Sequence, residues 1–180
     1  MKKFLLMMTL LLMTLIPLNV NAEYVSAKSG LRIRQSGSLE SEILNVLHYG
    51  DEVKVITKGK EWCYVHSDKG NGYVATEYLT DTDPLNGMEY LGNYRITAYA
   101  YTGSPCANGS FPTYGYTVAC NSLPFGTEVY IEGVGFRVVE DRGPSWLGSA
   151  WMDLYLESYS ACIQWGDQYR DVYLVRSANA

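Results

Sequence analysis

The chain has 180 residues, of which 47% are hydrophobic and 18% charged, and its net charge at pH 7 is −5. An acidic chain with evenly mixed charges argues against nucleic acid and against an anionic membrane surface as partners. This length fits one ordinary domain or two small ones.

Residues 1–22 have the pattern of a secretory signal peptide. Lys2 and Lys3 precede an apolar run from Phe4 to Ile16, and a small-residue cleavage site ends at Ala22. The apolar run is shorter than the ~20 residues that a bilayer-spanning helix needs. We therefore expect a secreted protein with no membrane attachment after cleavage. Cleavage would leave 12 Lys and Arg against 19 Asp and Glu.

Residues 23–80 read as short strands separated by turns. The segments Leu31–Arg34 and Glu52–Ile56 alternate in polarity, and Trp62–Val65 is β-branched and aromatic. Glycine-containing turns lie between them. Short strands at this spacing predict a small β-barrel.

This region resembles the bacterial SH3-like domains. The residues that carry the resemblance are Gly30–Arg34, Leu47 with Gly50–Val53, Glu61–Val65, and Gly72–Ala75 with Tyr78–Leu79. The resemblance implies recognition of cell-wall material, in particular the peptide part of peptidoglycan. Tyr49, Tyr73 and Tyr78 are the candidate ligand contacts.

A polar stretch at 81–89, with Pro84 and Gly87, predicts a linker. Residues 90–178 again read as mainly strands, and Ser158 to Gly166 predicts one short helix with a serine N-cap and a terminal glycine. Strands are predicted at Tyr94–Tyr99, Thr127–Ile131, Gly135–Val139, Met152–Leu156 and Asp171–Val175. The fold class predicted for the whole chain is mainly β: a small barrel, then a compact β-barrel with one helix.

The four cysteines enter an oxidising compartment on export, which favours a disulfide. They are Cys63, Cys106, Cys120 and Cys162. We expect one disulfide among the last three, with the pair left open, and Cys63 as a buried free thiol in its strand. Their spacings contain no C-x-x-C, and the chain has only two histidines, so neither a metal nor a cofactor is predicted.

Two carboxylates stand out in the second region. Asp153 lies in an apolar segment, where loss of solvent would raise its pKa toward neutrality and suit it to acid catalysis. Strand alternation places it on one face with Trp151 and Tyr155, whose rings are candidate contacts for a sugar. Asp141 follows a predicted strand and opens a turn, where it is either a turn cap or a second catalytic carboxylate. Glu140 should face solvent.

Residues 94–176 resemble the 3D (three-aspartate) domain, which is related to the C-terminal part of membrane-bound lytic transglycosylase A and has a double-psi β-barrel fold. The matching segments, in chain order, are Thr97–Tyr99, Leu123–Thr127, Val129–Ile131, Gly133–Gly135, Asp141–Gly143, Met152–Tyr155, Ala161, Trp165–Gly166 and Val172–Val175.

The resemblance implies that Asp153 is the catalytic acid/base of a peptidoglycan lytic transglycosylase and that Asp141 assists it. Such an enzyme cuts the MurNAc–GlcNAc linkage of glycan strands to a 1,6-anhydro product. Substrate contacts are expected at Asn121, Thr97, Tyr99, Trp151 and Tyr155. The protein is expected to act as a monomer that also holds wall peptide through its SH3-like domain.

The chain departs from the 3D pattern at its first aspartate, where Asn121 stands. Asparagine keeps the hydrogen-bonding shape but not the charge. Two alternatives therefore remain: a non-catalytic peptidoglycan-binding protein that lost turnover with this aspartate, and a glycoside hydrolase in which Asp141 activates water.

Overall fold

The computed structural model describes residues 22–175. The predicted signal peptide, apart from Ala22, lies outside these residues. Among the helices of 22–175, none has the length and apolar character required to span a membrane. The described chain consists of a seven-stranded sheet, curled as a half-barrel, and a closed six-stranded barrel with one α-helix. The predicted mainly β fold class is confirmed.

The first sheet has the strand order β3-β2-β6-β5-β4-β1-β7. Its strands are β1 (Ala22–Val25), β2 (Leu31–Arg34), β3 (Ile43–Leu47), β4 (Glu52–Lys58), β5 (Trp62–Ser67), β6 (Gly70–Ala75) and β7 (Leu79–Thr80), with a 3₁₀ turn at Thr76–Tyr78. Alternation places Leu31 and Ile33 in a core with Val53, Val65 and Val74.

The segment that joins the two sheets contains a turn. Asp83 Oδ1 accepts a hydrogen bond from the Leu85 amide at 2.9 Å. The Leu85 side chain packs on Gly50, where a Cβ atom would come within 2.8 Å of it. Gly50 also has a φ of +81°, so both its conformation and its contact favour glycine.

The second sheet closes into a barrel in the order β10-β11-β9-β12-β8-β13. Its strands are β8 (Glu89–Tyr99), β9 (Thr117–Ala119), β10 (Glu128–Ile131), β11 (Gly135–Asp141), β12 (Trp151–Tyr155) and β13 (Gln168–Leu174). Two neighbouring pairs, β8 with β12 and β9 with β11, are parallel, and the others are antiparallel. Ile96, Val118, Val139, Met152 and Leu154 fill the interior.

The single helix, α1 (Tyr159–Trp165), confirms the prediction from its flanking residues. Ser158 Oγ accepts a hydrogen bond from the Ala161 amide at 3.2 Å, which caps the first turn. Gly166 ends the helix with a φ of +69°. The Trp165 indole nitrogen donates to the Ile96 carbonyl of β8 at 3.1 Å, so α1 is fixed against the barrel wall.

The two sheets contact each other through Tyr49. Its ring packs edge-on against Tyr130 and Phe136 of the barrel, with centroids 5.5 and 5.1 Å away. The Tyr130 hydroxyl donates to the Tyr49 carbonyl at 2.5 Å. This aromatic seam, formed by Tyr49, Tyr130 and Phe136, packs the two sheets on either side of the predicted linker against each other.

The cysteine prediction is correct for Cys63 and wrong for the disulfide. All four cysteines, which lie within residues 22–175, are buried free thiols. Cys63 Sγ lies 3.2 Å from Thr76 Oγ1. The other three occupy separate sites: Cys106 in the loop after β8, Cys120 next to Ser122 after β9, and Cys162 in α1.

We expect Tyr49→Ala to destabilise the full chain, because it removes two aromatic contacts and uncovers Tyr130, which is 1% exposed. A loss of about 1–3 kcal/mol should appear as a lower midpoint in thermal or urea unfolding. Tyr78→Ala is the matched control, since Tyr78 is 43% exposed. Equal midpoints for the two variants would show that the seam contributes no stability.

Candidate active site

The two predicted carboxylates lie on strands that flank a common neighbour. Ala119 of β9 is the register partner of Asp153 on one side and of Asp141 on the other. Thr97 of β8 is the partner of Asp153 across the parallel pair. Thr97, Asp153, Ala119 and Asp141 thus form a row across four adjacent strands, called the carboxyl row below.

The carboxyl row faces away from the barrel interior. Met152 and Leu154, on either side of Asp153, point into the core, so alternation turns Asp153 outward with Thr97. Strand β11 runs through Asp141, which therefore ends a strand and does not follow one, contrary to the prediction. A register shift between Val139 and Asp141 brings Asp141 opposite Ala119. Two strand spacings, about 10 Å, separate the backbones of the two aspartates.

Asp153 is held by a short chain of hydrogen bonds. The Thr97 hydroxyl donates to Asp153 Oδ1 at 2.8 Å, and the Trp151 indole nitrogen donates to the Thr97 oxygen at 3.0 Å. Because the hydroxyl carries one hydrogen and accepts from the indole, its hydrogen points to Asp153. Oδ1 is therefore fixed as an acceptor, and a proton on this carboxyl group resides on Oδ2.

The environment of Asp153 favours its protonated form. Burial raises the pKa of Asp153 to about 6, and the charge of Asp141 adds to the increase, while the Thr97 hydrogen bond opposes it. Burial is the largest of these effects because removal from water disfavours the charged carboxylate. A carboxyl group with a pKa near 6 can both give and take a proton at neutral pH.

Trp151 is almost fully buried under the site, where its indole nitrogen donates to Thr97. It is 5% exposed, so most of its ring is covered in this structure, and the stacking contact with a sugar stays a prediction. Gly143 lies directly on its ring: a Cβ atom there would fall 2.2 Å from Trp151. The glycine in the turn after Asp141 is therefore required by the close approach of the backbone to the indole.

Asp141 is bound by the loop that follows β8, residues 100–116. Its Oδ1 accepts from the amides of Ala107 at 2.9 Å and Arg142 at 2.8 Å. The Tyr99 hydroxyl is buried beside this carboxylate and the Cys106 thiol. Burial, and then the charge of Asp141, raise the pKa of Tyr99, so this hydroxyl stays protonated. Tyr155 packs edge-on against Tyr99, with centroids 5.5 Å apart.

Asn121 braces the turn between the two aspartates. Its Oδ1 accepts from the Gly143 amide and its Nδ2 donates to the Pro144 carbonyl, each at 3.0 Å. An aspartate could make the first of these bonds but not the second. Both polar ends of Asn121 are thus engaged by the backbone, whereas the sequence suggested a contact with substrate.

Glu140 was predicted to face solvent, and this is wrong. Its carboxylate accepts from Thr117 Oγ1 at 2.6 Å and from Ser110 Oγ at 3.1 Å, and Thr117 is fully buried. The Asn108 amide donates to the Glu140 carbonyl at 3.2 Å. Glu140 and Asp141 together hold the 100–116 loop against β11.

Sequence reasoning also missed several exposed aromatic residues on the loops around the carboxyl row, of which Phe111 and Trp146 are the most exposed. Phe111, on the 100–116 loop, is 67% exposed, and Trp146, between Asp141 and β12, is 80% exposed. Exposed apolar rings mark a ligand-binding surface where they form a contiguous patch. Aromatic residues in segments rich in Gly, Ser and Pro were the signal available in the sequence.

Comparison with known families identifies the first sheet. The family model described as the bacterial SH3 domain matches residues 29–80. Bacterial SH3 domains are general cell-wall binding modules, and the match therefore indicates a cell-wall binding role for this part of the chain. A search of curated proteins finds no match. The resemblance of residues 94–176 to 3D domains stays a prediction.

We expect two substitutions to move the pKa of Asp153 in opposite directions. Asp141→Asn should lower it, because a neighbouring negative charge is lost, and Thr97→Val should raise it, because a bond to the charged form is lost. Carboxyl ¹³C NMR titration measures both shifts. Asp81→Asn, in the linker, is the control and should leave the titration unchanged. Shifts in the same direction would contradict this account of the site.

Proposed function

We propose that this protein is a secreted cell-wall lytic enzyme, a peptidoglycan lytic transglycosylase with Asp153 as its acid/base. The observation that carries the proposal is the setting of Asp153: a partly buried carboxyl group on the outer face of the barrel, held in one orientation by the Thr97 hydroxyl at 2.8 Å, where burial raises its pKa to about 6. The proposal also draws on the resemblance of residues 94–176 to 3D domains.

In the first step, Asp153 Oδ2 donates its proton to the glycosidic oxygen between MurNAc and GlcNAc, and the bond from C1 to that oxygen breaks. Positive charge develops at C1, near the carboxylate that has just formed. In the second step, the MurNAc 6-hydroxyl oxygen bonds to C1 and its proton passes to Asp153. The product is a 1,6-anhydro sugar, and the enzyme regains its starting protonation state without a water molecule.

The neighbours of Asp153 have supporting roles in this scheme. Thr97 keeps Oδ1 occupied so that Oδ2 performs both transfers. Burial keeps the pKa of Asp153 high, and the charge of Asp141 adds a smaller increase and offers negative charge toward the forming oxocarbenium ion. The Tyr99 hydroxyl is protonated and buried beside Asp141, so it acts on that carboxylate and not on a sugar oxygen. Tyr155 orients the Tyr99 ring by its edge contact.

The SH3-like region would hold the enzyme on its insoluble substrate. Its match to a cell-wall binding module supports this role. Phe111 and Trp146 would stack on sugar rings of the glycan strand beside the carboxyl row. Binding by several sites on one polymer raises the effective concentration of scissile bonds near Asp153.

One observation favours a second candidate, a peptidoglycan-binding protein without turnover. Asn121 occupies the place of the first aspartate of the 3D pattern, and its amide is engaged in bracing the 142–144 turn. A barrel that kept its glycan surface while losing one charge would still bind the wall. Product analysis separates this candidate, and the hydrolase alternative, from the transglycosylase.

Asp153→Asn should lower the release of soluble muropeptides from purified peptidoglycan by roughly 10²–10⁴-fold, because the proton donor is lost while the shape is retained. Mass spectrometry of the wild-type fragments should find 1,6-anhydro ends. New reducing ends would instead indicate a hydrolase, and binding without new ends would indicate the second candidate.

Asp141→Asn should lower the rate of muropeptide release less than Asp153→Asn does. It should also shift the alkaline limb of the pH profile to lower pH, because loss of the Asp141 charge lowers the pKa of Asp153.

Thermal melts of the same variants check that the fold is intact. The folded-state pKa of Asp153 lies above the ordinary 3.8, so its ionisation destabilises the fold as the pH rises through about 6. Asp153→Asn should therefore be more stable than the wild type at pH 7, by on the order of 1–3 kcal/mol, with no gain at pH 4. A variant that is inactive and also less stable at pH 7 would point to a structural role for Asp153.

A further inference from the structure

A groove of about 380 Å³ lies where the SH3-like region meets the barrel, and we call it the seam groove. The SH3-like region contributes Lys28 and Tyr49, and the barrel contributes Arg137, Phe136 and Glu128. The groove thus has aromatic walls, two cations and one carboxylate. Its residues come from both regions, so it exists only while the two remain packed together.

Arg137 is a half-buried cation without a counter-ion. Its guanidinium donates from Nη1 to the Phe136 carbonyl at 2.7 Å, and it takes part in none of the ion pairs formed within residues 22–175. Burial lowers the pKa of Arg137, because loss of water disfavours the charged form. A buried charge is ordinarily paired. An anion in the groove would supply the missing partner and could be bound by two parallel N–H donors.

Lys28 adds a second positive charge from the other region of the chain. Its Nζ lies 4.5 Å from the centre of the Phe136 ring, a cation–π contact that keeps the ammonium group at the groove. Among the residues of the groove only Glu128 carries negative charge. Glu128 would repel a doubly charged phosphate more strongly than a singly charged carboxylate, and it could accept a hydrogen bond from a peptide amide.

The seam groove is connected to the carboxyl row by two elements. Arg137 and Asp141 lie on the same strand, β11, about 13 Å apart along the chain at the usual rise per residue. The 100–116 loop touches both places, since Ala107 binds Asp141 and Gly115 lines the groove. A glycan strand at Asp153 could therefore place an attached peptide in the groove.

We propose that the seam groove binds a carboxylate of the wall peptide carried by the glycan strand, with Arg137 and Lys28 as its cationic partners. This rests on the proposed function for the position of the glycan. The carboxylate neutralises the Arg137 charge, and the small apolar side chains of the peptide lie against Tyr49 and Phe136. The SH3-like region thereby completes the substrate site of the barrel.

The test is a binding measurement by calorimetry on the full chain carrying Asp153→Asn, so that no turnover interferes. The probe is N-acetylmuramoyl-L-alanyl-D-isoglutamine, and a second probe has its free carboxylate converted to an amide. We expect the amidated probe to bind at least tenfold more weakly, as loss of a charge-assisted pair implies. Arg137→Gln should abolish this difference between the two probes.

Lys28→Gln provides a second variant on an exposed side chain, should Arg137→Gln impair folding, and it should reduce the same difference. Arg95→Gln is the matched control, because Arg95 is an exposed arginine paired with Asp167 and does not line the groove. Equal binding of the two probes to the protein without groove substitutions would overturn the proposal. Tighter binding of glycerol phosphate than of the peptide carboxylate would also overturn it, in favour of a phosphate polymer.

These outcomes are independent of catalysis. If the wild type makes no new glycan ends but binding still depends on Arg137 and on the free carboxylate, the groove assignment stands and the enzyme proposal fails. If the wild type releases anhydro products while Arg137→Gln binds both probes as the unsubstituted protein does, the enzyme proposal stands and the groove assignment fails.

Discussion

The hydrogen bond from Thr97 to Asp153 is the contact on which the candidate site depends. It exists because β8 and β12 run parallel and in a register that pairs these two residues. The same pairing lets the Trp151 indole reach the Thr97 oxygen, so one hydroxyl fixes both an aromatic ring and a carboxyl group. A shift of one residue in this register would turn Asp153 into the core and Leu154 outward.

Barrel closure explains how a carboxyl group on an outer face becomes desolvated. The interior is filled by aliphatic side chains, which leaves the carboxyl row outside, but α1 and the 100–116 loop cover parts of that face. Asp141 is fastened to backbone amides of the loop and its turn, whereas Asp153 receives one hydroxyl. The two aspartates therefore share a face of the barrel but differ in environment, as an acid and its electrostatic partner must.

The aromatic seam fixes the position of the SH3-like region relative to the barrel. A wall-binding module on a flexible linker would raise local substrate concentration and do no more. Here Tyr49 is enclosed by Tyr130 and Phe136, and the linker residue Leu85 packs on Gly50, so the module is placed in a definite position beside the barrel. This position allows Lys28 to share a groove with Arg137.

The sequence alone determined the elements whose signals are local. Alternation predicted most strands of both sheets, and Ser158 and Gly166 marked the ends of α1, because caps act within a few residues. Strand β3 was missed, since its run of Ile43, Leu44 and Val46 is exposed and does not alternate. The apolar surroundings of Asp153 also predicted the direction of its pKa shift, because desolvation there follows from its own strand neighbours.

Only the tertiary structure decided what depends on residues distant in the chain. The sequence could not show that Trp151 is covered by Gly143, that Asn121 braces a turn, or that Glu140 binds Thr117 in place of water. It also favoured a disulfide, whereas all four cysteines are free thiols within residues 22–175. These features arise from barrel closure and from the packing of one region on the other, which no local pattern records.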